Sequence, residues 1–313
     1  MLKRTLIKPL SSLVLLCMPL MAGCLDSNKT ELNTTDNTAE SQIDYGVDYP
    51  ANGQTIEARM DSLIEAQAFA EAFEFHHRHQ SIFHLWHDEA LTITPGVEVA
   101  RAGTCDGALR IEEPEQRQED SPFITLDFNH YCNPTPLWNT HSAEWGKQVY
   151  TGDQSLFWVD FIAYRKRMDG FYTLEVGGPL RVARENGQPT YNYQSLVVKQ
   201  VSNRSAETQS VLRYQDFKVT FIADRAIYNG KIYHPSYGWV EVSTGANLDT
   251  DRVLTASDPR RINRPIEGKI ILEGRAGRAT LTFNNDQTYN LSLELNAVGA
   301  SQPAPLTNQA WPD

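Results

Sequence analysis

The chain has 313 residues and a formal net charge of −11, with 41% hydrophobic and 21% charged residues. That balance excludes a low-complexity or fibrous polymer, and an acidic domain repels phosphate backbones, so nucleic acid is not an expected partner. Four cysteines exclude a disulfide-dense miniprotein.

The chain opens "MLKRTLIKPLSSLVLLCMPLMAGC". Lys3, Arg4 and Lys8 give a positive start, Leu10 to Met21 an apolar run, and Ala22 and Gly23 a small-residue site before Cys24. This is the layout of a secretory leader, and the run is too short, with Pro19 inside it, for a comfortable bilayer span. "LMAGC" resembles the lipobox of bacterial lipoproteins, which implies a signal peptide over 1–23, cleavage after Gly23 and lipidation of Cys24 (palmitate among the acyl chains). Two or more chains hold a protein firmly to a membrane. In enteric lipoproteins an Asp directly after the modified Cys favours the inner membrane. Here Leu25 follows and Asp26 comes one later, so the resemblance implies the outer membrane, facing the periplasm. Loss of the three leader bases takes the net charge of −11 to −14.

Residues 24–53 are rich in Asn, Thr, Asp and Ser and read as a lipid-anchored disordered tether, spanning roughly 30 Å. From Gln54 to His87 the pattern is helical. Ile56, Met60, Leu63, Ile64, Ala70, Ile82 and Leu85 share one arc, with Asp61, Glu65 and Ala72 opposite and Asn52 or Thr55 as caps. The pattern blurs after Phe73, where a break or kink is expected. Cys17 leaves with the leader and Cys24 takes lipid. Cys105 and Cys132 remain, an even pair in an oxidising compartment, which reads as one disulfide, with two buried free thiols as the other reading.

From Leu91 onward the period changes to two. Runs such as "FITLDFNHY" (123–131), "SLFWVDFIAY" (155–164), "YNYQSLVVKQV" (191–201), "SVLRYQDFKVTFI" (210–222) and "YNLSLELN" (289–296) alternate, with "ENGQP", "YNGK", "EGRAG" and "NNDQ" as turn signals between strands. Without a second long helical pattern, parallel βαβ units are excluded. The expected fold is mainly β: one large antiparallel meander of about nine to twelve strands, as a curved sheet, sandwich or open barrel, with a single N-terminal amphipathic helix packed on it. The domain spans 54–298, and 299–313 reads as a flexible tail. "YQSLVV" (193–198) and "YQDFKV" (214–219) repeat Tyr-Gln, which hairpins reach by convergence.

"GTCDG" (103–107), then "ITLDFNHYC" (124–132), then Pro265-x-x-Gly268-x-Ile270-x-x-x-Gly274 resemble a group of proteobacterial outer-membrane lipoproteins with no established activity. The resemblance implies paired cysteines on neighbouring strands after a helical start, and it carries no catalytic residues.

Five of the eight histidines lie in "FEFHHRHQSIFHLWHDEA" (73–90). On the helical arc, His76, His79 and His87 fall opposite the apolar stripe, and His77 and His84 on a flank. His76 to His87 spans about 16 Å, too far for one ion. The pairs His76/His79 and His84/His87 could each clip a divalent metal, but zinc needs three or four ligands, so the expected state is a solvated face. Asn247, Asp249, Asp251 and Asp258 match positions 1, 3, 5 and 12 of a calcium loop, but Arg252 stands where Gly is needed. The acidic run 111–120 reads as a solvated hairpin loop. Trp138 and Trp145 fall in a Pro-rich loop, able to contact a ligand or to lid the core. No nucleophile elbow, phosphate loop or dinucleotide fingerprint is present, and no cofactor is implied.

Together these features imply an outer-membrane-anchored, periplasm-facing lipoprotein serving binding or envelope support, with the membrane and an envelope protein or lipid ligand as partners. One alternative is a hydrolase acting on an envelope polymer or lipid, with His130, His141 or His234 converging in a cleft. The other is a metal-binding lipoprotein using the helix histidines.

Overall fold

The computed structural model describes residues 47–93, 99–112, 124–133, 142–168, 172–185, 188–222, 225–249 (backbone alone at 246–249), 265, 267–286 and 288–311. Helix α1 (Leu63–His84) and a short α2 (His87–Thr92) precede fourteen strands. These are β1 (Ala100–Ala102), β2 (Ala108–Glu112), β3 (Ile124–Cys132), β4 (Ala143–Gly152), β5 (Leu156–Met168), β6 (Tyr172–Glu185) and β7 (Gln188–Ser202). The second half comprises β8 (Thr208–Ile222), β9 (Arg225–His234), β10 (Gly238–Asp249), β11 (Glu267–Gly274), β12 (Gly277–Phe283), β13 (Thr288–Leu295) and β14 (Leu306–Ala310). All fourteen lie in one antiparallel sheet in chain order, open, with β1 and β14 as its edges.

The expected mainly-β meander with one helix is therefore the observed fold, with more strands than the period-two runs suggested. Two differences have local causes. "YNGK" (228–231) is not a turn, because Gly230 (φ +136°) forms an irregularity inside β9, and a Cβ there would meet the Asp216 carbonyl at 2.5 Å. The tail carries β14, and Trp311 beyond it is buried, stacked on Tyr289 at 4.1 Å between ring centroids.

Alternation places one face of each strand in the core, as with Ile270 and Leu272 on β11 and Leu291 and Leu293 on β13. Each such side chain contributes about 1.5–3 kcal/mol on burial. A row of bulges crosses the middle strands. Register shifts fall at Phe128/Tyr131, Trp145/Lys147, Phe161/Tyr164, Gly177/Leu180 and Gln215/Lys218. His130 (φ 49°), Ala163 (φ 47°) and Asp216 (φ 47°) take left-handed backbone there. A bulge bends its strand and increases its twist, so a row of them curves the sheet toward α1.

The segment from Val47 connects both faces. Val47 and Tyr49 pack on Val197 and Val211. Val197 lies between the core residues Leu196 and Val198, so it points to the opposite face of the sheet. The chain then crosses the strand ends in extended form. Ala58 N–H donates to the Trp239 carbonyl (2.8 Å), Trp239 N–H to the Ile56 carbonyl (2.9 Å) and Arg275 N–H to the Ala58 carbonyl (2.9 Å). Gly238 (φ +100°) permits this crossing, since a Cβ there would sit 2.1 Å from the Ile56 carbonyl oxygen.

Hence α1 begins at Leu63, not near Gln54. Its cap is Ser62, whose hydroxyl accepts from Glu65 N–H (3.2 Å), while the Glu65 carboxylate accepts from Asp61 N–H (3.2 Å). The pairing resembles a capping box, with the carboxylate reaching the amide one residue before the cap. The helix runs through Phe73 without a break and turns only at Leu85–Trp86.

Candidate functional site: the helix-to-sheet seam

The inward residues of α1 are mostly rings. Phe69, Phe73, His76 and Phe83 recur at helical spacing and none is measurably exposed, while Ile64 is 73% exposed. The expected wet face is buried as well. Of the apolar arc, Met60, Ala70 and Ile82 are buried as expected, Leu63 and Leu85 pack against the core, and Ile56 and Ile64 point to solvent, while Glu65, Ala72, His76, His79 and His87 on the expected wet side are also buried. The reason is tertiary. The concave side of the sheet is lined with tyrosine, whose rings provide apolar contact and whose hydroxyls pair with imidazole.

His76 sits at the centre. Its ring lies 4.6 Å from that of Tyr193, 4.7 Å from Tyr214 and 4.8 Å from Phe217, between centroids. Neither ring nitrogen has a hydrogen-bond partner among the described residues. Burial pushes its pKa well below the ordinary histidine value, and His77 and His79 push the same way. Tyr193 and Tyr214 are the leading residues of the two Tyr-Gln repeats, so that repetition marks this cage.

The flanking histidines are paired. His77 Nδ1 is hydrogen-bonded to the Tyr228 hydroxyl (2.6 Å), and His84 Nε2 to the Tyr193 hydroxyl (2.7 Å). His79 Nδ1–H donates to the Phe75 carbonyl (2.8 Å), so in the neutral ring Nε2 accepts from the Tyr172 hydroxyl (2.8 Å). Burial, reinforced by Arg78, lowers His79 to about 3 against the opposing bond to Phe75. His87 packs on Phe157 (5.3 Å) and Tyr150 (5.9 Å). It is also lowered to about 3, by burial and then Arg184, with Asp88 and the Phe83 carbonyl opposing.

Beyond the end of α1, Trp86 packs on Phe128 (5.2 Å) and donates through Nε1 to Glu144 Oε2 (2.8 Å). The Tyr164 hydroxyl donates to the same oxygen (2.8 Å), and Lys166 Nζ pairs closely with Oε1. Glu144 is wholly buried and Lys166 nearly so. This clamp fixes the helical segment to β4 and β5.

The other candidates are dispersed. Among the described residues no group of three or more His, Cys, Asp or Glu is set to hold a metal ion. His77, His79 and His84 already spend ring nitrogens on tyrosines or backbone. Asn247 and Asp249 lie in β10, while Asp251 and Asp258 fall outside the described residues. Trp138, His141 and most of the acidic run 111–120 also fall outside them. Trp145 is in strand β4 rather than a loop. Its ring stacks on His130 (5.3 Å) with the Arg165 guanidinium 5.7 Å from its centroid. His234 packs on Tyr237 (4.9 Å) at the end of β9. A shallow depression of about 350 Å³ lies over β2 and β3, lined by Ala108, Arg110, Asp127, Phe128 and Asn129, and Asp127 there is ion-paired with Lys147 (3.2 Å).

Cys105 and Cys132 form a disulfide with 5.3 Å between Cα atoms, tying the β1–β2 connection to the end of β3. Among the described residues no helix is long and apolar enough to cross a membrane. No known protein family, curated protein or solved structure matches the chain.

The tyrosines Tyr172, Tyr193 and Tyr214 were legible as strand residues but not as partners of the helix, and Tyr228 was hidden in the turn signal "YNGK". Only their inward alternation signals the role.

Proposed function

We propose that the protein is a lipid-anchored envelope protein, held to the outer membrane through Cys24 and facing the periplasm, whose β domain serves binding or envelope support. The observation that carries this reading is the cysteine distribution. The disulfide uses Cys105 and Cys132 and fits an oxidising compartment, which leaves Cys17 inside the apolar leader and Cys24 after it as the lipid acceptor. The ring-filled concave face argues for binding through outward surfaces, because α1 already occupies the place where a carrier would shelter an acyl chain.

Expression of the full chain in a Gram-negative host tests the anchor. Mass spectrometry of the mature N-terminus is expected to find acylated Cys24, and density-gradient fractionation to find the protein with the outer membrane. Cys24→Ala is expected to shift it out of the membrane fraction, and an unacylated Cys24 in wild type with unchanged fractionation of the variant overturns the reading. Non-reducing peptide mapping is expected to return the Cys105–Cys132 linked peptide. Removing that bridge, which spans a sequence separation of 27, costs about 3–4 kcal/mol on the chain-entropy model.

A further inference from the structure

We propose that α1 is an acid-releasable plug: protonation of the buried histidines His76, His79 and His87 undocks the helix and bares the tyrosine-lined concave face while the sheet stays folded. The proposal does not depend on the lipid anchor.

Geometry carries it. His76 is wholly enclosed and, among the described residues, neither of its nitrogens has a partner, so a proton added there brings a charge with no acceptor among them to receive its N–H groups. The ionisable groups facing it are Tyr193 from β7, Tyr214 from β8 and Tyr228 from β9. None is an anion near neutrality, since burial holds Tyr193 and Tyr214 well above the ordinary tyrosine value. On the helix itself, His77 and His79 add only positive charge when protonated, and Glu74 is ion-paired with Arg78 (3.5 Å).

His79 faces Tyr172 from β6 and lies beside Arg78. A second proton on its ring would turn the Nε2 acceptor into a donor and force the Tyr172 hydroxyl to reverse. Around His87 stand Tyr150 from β4, Tyr191 from β7 and His84 from α1, with Arg184 from β6 and Asp88 from α2. Asp88 is engaged by Arg184 (2.5 Å) and is itself largely exposed, so it gives a buried imidazolium little compensation.

The direction follows from linkage. An undocked histidine titrates near its ordinary value of about 6.5, while docking lowers it, to about 3 for His79 and His87. Above pH 6.5 both states are neutral and docking is at full strength. As pH falls below 6.5 the undocked state takes up protons first. Docking then weakens about tenfold per pH unit for each histidine, until the docked value is reached.

The response is confined to the helix because its attachment is made of side chains. The sheet is held by its own continuous backbone ladder from β1 to β14 and by the Cys105–Cys132 bridge. The strap at residues 54–60 and the Trp86–Glu144 bond retain the helix at its two ends.

Hydrogen exchange of the full chain in detergent micelles, read by mass spectrometry at pH 7.5, 6.5, 5.5 and 4.5 and corrected for intrinsic rates, tests this. Peptides from 63–84 are expected to lose protection steeply below pH 6.5, while peptides from β7 and β8 keep theirs. His76→Phe replaces an unbonded ring with an apolar one. It is expected to reduce the pH dependence of helix opening by about one power of ten per pH unit, and His79→Phe, within the same helix, to do the same should the first variant fold poorly. Loss of protection in helix and sheet together overturns the proposal, and so does an acid response of α1 left unchanged by the folded variant.

Discussion

At the middle of α1, His76 is buried against Tyr193, Tyr214 and Phe217, with neither nitrogen partnered among the described residues. Beyond its end, Glu144 is equally buried, yet its oxygens are taken up by Trp86, Tyr164 and Lys166. Histidine can enter an apolar cage by giving up its proton, and it then behaves as one more aromatic ring. A carboxylate set against a lysine in the core is tolerated only where its lone pairs are filled. The same protein therefore has one buried polar ring that is tolerated only while neutral and one buried ion pair whose every partner is needed.

The ion pair is where substitution has the largest expected effect. Glu144→Ala strands the Lys166 ammonium in the core and removes the acceptor of Trp86 and Tyr164, with an expected loss of about 3–5 kcal/mol by denaturant unfolding at pH 7.5. A loss below about 1 kcal/mol would erase the contrast between the two regions. Glu144→Gln keeps an oxygen for the two neutral donors and removes only the countercharge, so a smaller loss than that of the alanine variant is expected in the same assay.

Around the histidines the effects are smaller. Tyr228→Phe deletes the hydroxyl bonded to His77 (2.6 Å), with an expected cost of about 0.5–1.5 kcal/mol. His76→Phe comes last at pH 7.5, where a change within about 1 kcal/mol is expected because no hydrogen bond is lost. Below pH 6.5 the order reverses for this position. The variant is expected to gain on wild type by about 1.4 kcal/mol per pH unit, since only the wild-type unfolded chain takes up that proton. Parallel stability curves from pH 7.5 to 5 for the two chains would show instead that His76 holds its proton equally in both states.

The strands were legible because alternation is a local property. β3, β5 to β8 and β10 to β13 each contain a period-two run, "YTLEV" (172–176) in β6 among them, and Gly or Asn turn chemistry marked several of the hairpins. β1, β2, β4, β9 and β14 were not read from the pattern. β1 and β14 are short edge strands, β4 begins in a stretch that reads as a Pro-rich loop, and Gly230 disguises β9 as a turn. The Ser62-Leu63-Ile64-Glu65 cap was present in the sequence, but the apolar residues Ile56 and Met60 drew the expected helix start seven residues or more too early. The histidine face was misread because wheel arithmetic assigns the buried side by hydrophobicity alone.

Local pattern was enough for the alternating strands, the lack of a crossover-helix pattern, and hence an antiparallel meander with one helix, along with a cysteine pair available to bridge. These follow from backbone periodicity and composition, which need no partner. That the histidine side of α1 is buried too follows only from what the sheet presents to it. The curved sheet supplies tyrosine hydroxyls and ring faces that make a neutral imidazole acceptable in the interior, and no pattern confined to residues 63–84 contains that information.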